Sequence, residues 1–73
     1  MAAHEQARTL RLPEVLSYVG LSKSTVYGLM RRDDFPKPIR LARRAIAWRK
    51  DDLDAWIDAR ERVDLSSLED DGE

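Results

Sequence analysis

LPEVLSYVGLSKSTVYGLMRR, residues 12–32, is the stretch on which the fold depends. Pro13 suits the first turn of a helix, where its missing N–H is not needed. Val15, Leu16 and Val19 then form one apolar stripe. Gly20 follows at the point where a helix end usually wants a positive φ. Leu21 can plug the angle between two helices, and Ser22 is a good N-cap because its hydroxyl can accept from free amides two or three residues on. Val26, Leu29 and Met30 repeat the stripe, while Lys23, Ser24, Thr25, Tyr27, Arg31 and Arg32 point elsewhere. Residues of those types bind phosphates and base edges. The pattern reads as a helix-turn-helix whose second helix is available to a groove. Two short amphipathic helices joined at a glycine also occur in helical domains of other kinds, so the flanking sequence has to decide.

Downstream, Asp33 and Asp34 oppose the macrodipole at a helix C-terminus, and Phe35-Pro36-Lys37-Pro38 cannot continue a helix. The second helix should stop near Asp33, and Phe35 should anchor the core. Ile39 and Leu41 alternate with Arg40, and Ile46 and Trp48 alternate with Ala47 and Arg49. That is period two on both arms of a hairpin, with Ile39, Leu41, Ile46 and Trp48 expected on one apolar stripe. The tip carries Arg43 and Arg44, as a DNA-binding wing would, with a solvated turn as the alternative. No Gly, Asn or Asp sits there, so a loose loop is expected in place of a type I′ turn. Lys50-Asp51-Asp52 should open a last helix, its acids favourable to the dipole. Leu53, Trp56, Ile57 and Arg60 define its inner face, and Trp48 and Trp56 are expected to meet over the helix-turn-helix.

Upstream, Thr9–Leu12 can be a short strand or an extended lead-in, and residues 1–8 should be a flexible start. Residues 62–73 are acid-rich and poor in apolar groups, which predicts a tail without fixed structure. Such a tail can compete for a nearby basic face, and Val63, Leu65 and Leu68 could serve as a short partner motif. The predicted architecture is α+β and mostly helical: three helices with a two-stranded β-hairpin wing, spanning residues 9–61.

Seventy-three residues allow one small domain, and the absence of Cys leaves packing as its source of stability. The formal net charge of −1 conceals a division of +7 over residues 1–50 and −8 over residues 51–73. A basic binding surface followed by an acidic element is implied. Enzyme chemistry is disfavoured: the lone His4 has no partners, and no Gly-rich phosphate loop is present. Asp51, Asp52, Asp54 and Asp58 could be imagined as a Mg²⁺ site but read better as a solvated helix surface. No metal or cofactor is expected. No apolar run suits a signal peptide or a membrane span, which predicts a cytoplasmic, soluble protein.

The order of the pieces resembles a known family. Ser22-Lys23-Ser24-Thr25-Val26-Tyr27, then Phe35-Pro36-Lys37-Pro38-Ile39-Arg40-Leu41, Ala47-Trp48-Arg49 and Asp54-Ala55-Trp56-Ile57 together are similar to the AlpA-type phage regulatory proteins. These belong with excisionases and the MerR-like winged helix-turn-helix domains. The resemblance covers Leu10 to Arg60. It implies that Ser22 to Tyr27 open the major-groove helix, with Lys23, Ser24, Thr25 and Tyr27 facing DNA. It implies too that Arg43 and Arg44 reach the adjacent minor groove or backbone, while Phe35-Pro36 and Ala47-Trp48-Arg49 are structural. Arg31, Arg32, Lys37 and Arg40 complete the candidate DNA-binding set. Two departures stand out: Gly28 occupies a position where the family often carries a basic or polar residue, and the wing tip lacks the usual Gly.

Three functions are compatible with these features. One is a sequence-specific, double-stranded DNA-binding transcriptional regulator of a prophage or mobile element. Another is an excisionase that bends DNA and assists a recombinase. The third is a protein-binding winged helix. The expected partner is duplex DNA, bound by a homodimer or cooperative multimer. An integrase, another recombinase or RNA polymerase would be the protein partner, no membrane is involved, and a bacterial or phage-encoded, nucleoid-associated location is implied.

Overall fold

Short helices are marginal in water unless their ends are satisfied and one face is buried, and the first two helices of this chain meet both conditions. The computed structural model describes residues 8–65. In chain order the elements are β1 (Thr9–Leu10), α1 (Leu12–Val19), α2 (Lys23–Arg31), β2 (Ile39–Ala42), β3 (Ala45–Arg49) and α3 (Lys50–Asp58). Pro13 lies in the first turn of α1, where the Arg11 amide donates to Glu14 Oε1 at 2.7 Å. Gly20 closes the helix in the left-handed region at φ 75, its amide donating to the Leu16 carbonyl at 2.8 Å. Ser22 caps α2 from an extended conformation, and its Oγ accepts from the Thr25 amide at 3.2 Å.

The end of α2 uses a device that the residue pattern does not announce. Asp33 adopts φ 60, the left-handed region, although it is not a glycine. Its amide donates to Met30 and that of Asp34 donates to Leu29, at 3.0 and 2.8 Å, which is a Schellman closure. Aspartate is one of the few side chains that tolerate this conformation. The helix therefore ends because Asp33 satisfies its last carbonyls, in addition to the prolines that follow.

Five buried side chains form the core: Val15, Val26, Phe35, Trp48 and Leu53. They come from α1, α2, the α2–β2 connection, β3 and α3, so every helix is tied to the others through one cluster. Phe35 is 5% exposed, as its anchoring role requires. The two tryptophans converge on this connection. Trp48 Nε1 donates to the Pro36 carbonyl and Trp56 Nε1 to the Asp34 carbonyl, each at 2.9 Å. Trp56 also meets Phe35 edge-on, with ring centroids 4.8 Å apart. The indoles thus hold the segment at two points, and Trp56 packs against the cluster that contains Trp48.

The sheet has three strands in the order β1-β3-β2, so Thr9–Leu10 is a true strand, antiparallel to β3. Its register corrects the expected apolar stripe. Leu10 pairs with Trp48, but Ile39 pairs with Ala47 and Arg40 with Ile46. Ile39 and Trp48 therefore lie on opposite faces. Ala47 and Trp48 are buried, while Ile39, Leu41 and Ile46 are 37%, 50% and 42% exposed. Ile57 likewise lies at the edge of α3, 39% exposed, and not on its inner face.

The hairpin turn is tight, with only Arg43 and Arg44 between the paired Ala42 and Ala45. This corrects the loose loop inferred from the missing turn residues. Neither arginine has a positive φ, so the turn is not type I′. An irregularity between Arg40 and Ala42 shifts the register by one residue and absorbs the mismatch in strand twist. Arg40 Nη1 ties the turn by donating to the Arg43 carbonyl at 2.8 Å.

Candidate nucleic-acid interface

Helix α2 is anchored by Val26, which is fully buried, and by the partly buried Leu29 and Met30. The 100° step of a helix then sends Lys23, Ser24, Thr25, Arg31 and Arg32 to solvent, and all are exposed. Tyr27 is 38% exposed, with Lys23 Nζ 5.9 Å from its ring centroid. It lines a groove of about 300 Å³ with Arg11, Met30 and Ile46, which places the hairpin alongside α2. Helix α2, at Tyr27 and Met30, and the hairpin that carries Arg43 and Arg44, at Ile46, therefore adjoin along this groove.

Individual candidates differ in how free they are. Thr25 is exposed, but its hydroxyl accepts from Ser22 Oγ at 2.9 Å and so takes part in the cap. Lys37 faces Asp33 at 3.4 Å in an exposed pair, and Arg40 is engaged with the turn backbone. Among the described residues, the ion pairs are those of Lys37, Lys50 and Arg60. Lys23, Arg31, Arg32, Arg43 and Arg44 pair with no described carboxylate.

Tertiary structure gathers three further arginines, Arg11 at this surface and Arg8 and Arg49 at a separate depression beside Ile39. Arg11 reaches the Tyr27 groove because Leu10 pairs with Trp48, which brings the chain before α1 against the hairpin. Arg8 and Arg49 line a small depression of about 190 Å³ with Thr9 and Ile39. No local signal marks them. Arg49 sits in a strand whose apolar neighbours draw attention to the core, and Arg8 precedes the first helix.

Of the acids of α3, Asp54 is used within the fold, while Asp51, Asp52 and Asp58 are exposed. Asp54 accepts from the Tyr18 hydroxyl and faces Lys50 at 3.4 Å. Lys50 in turn lies 5.5 Å from the Tyr18 ring centroid. The Tyr18 hydrogen bond, aided by the Lys50 charge, holds the Asp54 carboxyl below the ordinary carboxylate range. Tyr18 and Asp54 together hold the Lys50 ammonium above its ordinary value. His4 and residues 66–73 lie outside the described residues. No helix among the described residues is long and apolar enough to cross a membrane.

Two helices meeting at a capped turn, a basic second helix and a hairpin beside it define a small winged helix-turn-helix protein. The chain matches the family model of the prophage CP4-57 regulatory protein AlpA over residues 8–61, and it belongs to that family. It is also similar to uncharacterized protein ORF88 of Enterobacteria phage P4, with 42% identity over 55 residues, 75% of this chain. The chain spans 62% of the length of that relative.

Proposed function

We propose that the protein is a sequence-specific, double-stranded DNA-binding transcriptional regulator of a prophage or mobile element, acting in the cytoplasm. In this reading α2 enters the major groove, with Ser24, Thr25 and Tyr27 at base edges and Lys23, Arg31 and Arg32 at phosphates. Arg43 and Arg44 reach the neighbouring backbone or minor groove from the hairpin tip. One observation carries the reading: Lys23, Arg31, Arg32, Arg43 and Arg44 are exposed and have no described carboxylate partner, on surfaces that adjoin. Cations placed in this way are available to release counterions from a polyanion. One short helix reads only a few base pairs, so useful specificity calls for a homodimer or cooperative binding to repeated sites.

The test is the salt dependence of duplex binding. Replacing Arg43 and Arg44 together by Ala should lower the slope of log affinity against log salt by roughly one unit for each phosphate the arginines neutralise. The fold should survive, because both side chains are exposed at the turn. An unchanged slope at unchanged stability would refute the wing role of the hairpin.

A further inference from the structure

Gly28 stands in the interior of α2, a helix of only nine residues. Glycine is a poor residue for a helix interior, since it loses the most backbone freedom on folding and packs nothing. No feature of the fold asks for it. Among the described glycines only Gly20 has a positive φ. A Cβ added at position 28 would meet Arg31 Nη2 at 3.9 Å, an ordinary approach to the far end of a flexible side chain, and nothing nearer. A residue that weakens its own helix without return inside the fold points to a role outside it.

Its place on the helix says where that role lies. Gly28 is three or four residues from Ser24, Thr25, Arg31 and Arg32, and so shares their face of α2, away from the buried Val26. Hydroxyls stand on one side of it and guanidinium groups on the other, with bare backbone between. Its carbonyl already accepts from the Arg32 amide at 3.2 Å. What position 28 offers a partner is therefore room and an apolar Cα surface, and no further hydrogen bond.

We infer that Gly28 sets the depth at which α2 docks in duplex DNA, with the wall of the major groove seated against its Cα. The inference rests on the DNA-binding function proposed above and adds a specificity-determining residue to it. A methyl group here would hold the helix off the duplex by about 1.5 Å, the length of a C–C bond. Hydrogen bonds to base edges fail over such a distance, whereas attraction between cations and phosphates declines slowly. Gly28 thus matters for sequence readout more than for general affinity.

The experiment compares the full chain with its Gly28→Ala variant on two probes: duplexes enriched from a random pool by the unaltered protein, and unselected random duplexes. Thermal midpoints are measured in parallel. The variant should melt a few degrees higher, because alanine is the better helix former. Its affinity for enriched duplexes should fall roughly tenfold or more, as overpacking a close approach requires. Its affinity for random duplexes should change much less. Equal or tighter binding to the enriched duplexes overturns the inference, and so does a lower melting midpoint, which would mean that the fold itself needs the glycine. If the Arg43/Arg44 double variant loses affinity while Gly28→Ala does not, DNA binding stands and the docking role of Gly28 is refuted. If the unaltered protein shows no salt-dependent affinity for either probe, both readings fall.

Discussion

Cations around α3 and cations on α2 are chemically alike, yet the fold treats them differently. Lys50 is matched by Asp54 and the ring of Tyr18. Arg60 faces Asp34 at 3.9 Å and lies 4.6 Å from the centroid of the Trp56 ring. On α2 and the hairpin, Lys23, Arg31, Arg32, Arg43 and Arg44 have no described carboxylate beside them. Exposed ion pairs contribute little stability, typically below about 1 kcal/mol each. The contacts around α3 therefore matter chiefly as orientation, Tyr18 joining α3 to α1 and Arg60 reaching Asp34 beyond the end of α2. The contrast teaches that charge of one sign can serve the fold in one region and remain available to a partner in another. The division of charge in the sequence foreshadows it.

The largest perturbation should destroy both regions at once. Trp48→Ala removes a side chain 2% exposed at the centre of the sheet and leaves the Pro36 carbonyl without its donor. A cost of about 3–5 kcal/mol is expected, a large share of the stability of a small domain. Urea titration should show the destabilisation, with duplex binding abolished in parallel. A folded Trp48→Ala variant that still binds would mean the two regions do not depend on a common core.

A smaller effect should fall on the α2 side alone. Thr25→Ala should cost about 1–3 kcal/mol on a duplex enriched by selection, and much less on random DNA. Its hydroxyl also accepts from Ser22 in the cap, so Thr25→Ser is the control, keeping that bond. Equal losses on both kinds of duplex would remove Thr25 from the readers.

The smallest effect belongs to the α3 side. Tyr18→Phe deletes the first cause of the shifts at both Asp54 and Lys50. A carboxyl held low stabilises the fold above its ordinary range, and this is lost as pH falls through the depressed value. An ammonium held high stabilises the fold below the ordinary lysine range, and this is lost as pH rises through the raised value. The variant should thus be slightly less stable near neutrality, with the deficit shrinking toward both extremes. Duplex affinity at neutral pH should not change. Chemical denaturation across pH, together with a binding measurement, tests this, and a loss of affinity would show that the two regions are coupled.

Much of the fold was legible because its signals are local. Pro13, Gly20 and Ser22 act on backbone groups within a few residues, and the structure places each in the role its chemistry suggests. The apolar positions of α1 and α2 were readable for the same reason, since a 3.6-residue period describes one helix without reference to any other. The candidate interface was legible to the same extent. Exposed residues on α2 follow from which residues are buried there, and the arginine pair follows from its place between two alternating arms.

What tertiary structure decided lies between elements. Alternation says that a strand has two faces, but not which residue stands opposite which. A slip of one residue exchanges the faces, and the irregularity after Arg40 separates Ile39 from Trp48 in this way. Arg11 joins the Tyr27 groove only because Leu10 pairs with Trp48, 38 positions further on. The left-handed Asp33 combines both kinds of cause. The prolines in the sequence predict an end to α2, but φ 60 at an aspartate is settled by the carbonyls it leaves satisfied and by the Phe35 it delivers to the core. By itself the sequence determined where its first two helices begin and end, which of their faces are apolar, and how its charge is divided along the chain. Which strand residues are buried, and which distant cations share one surface, was decided by the fold, because pairing energy depends on neighbours that are remote along the chain.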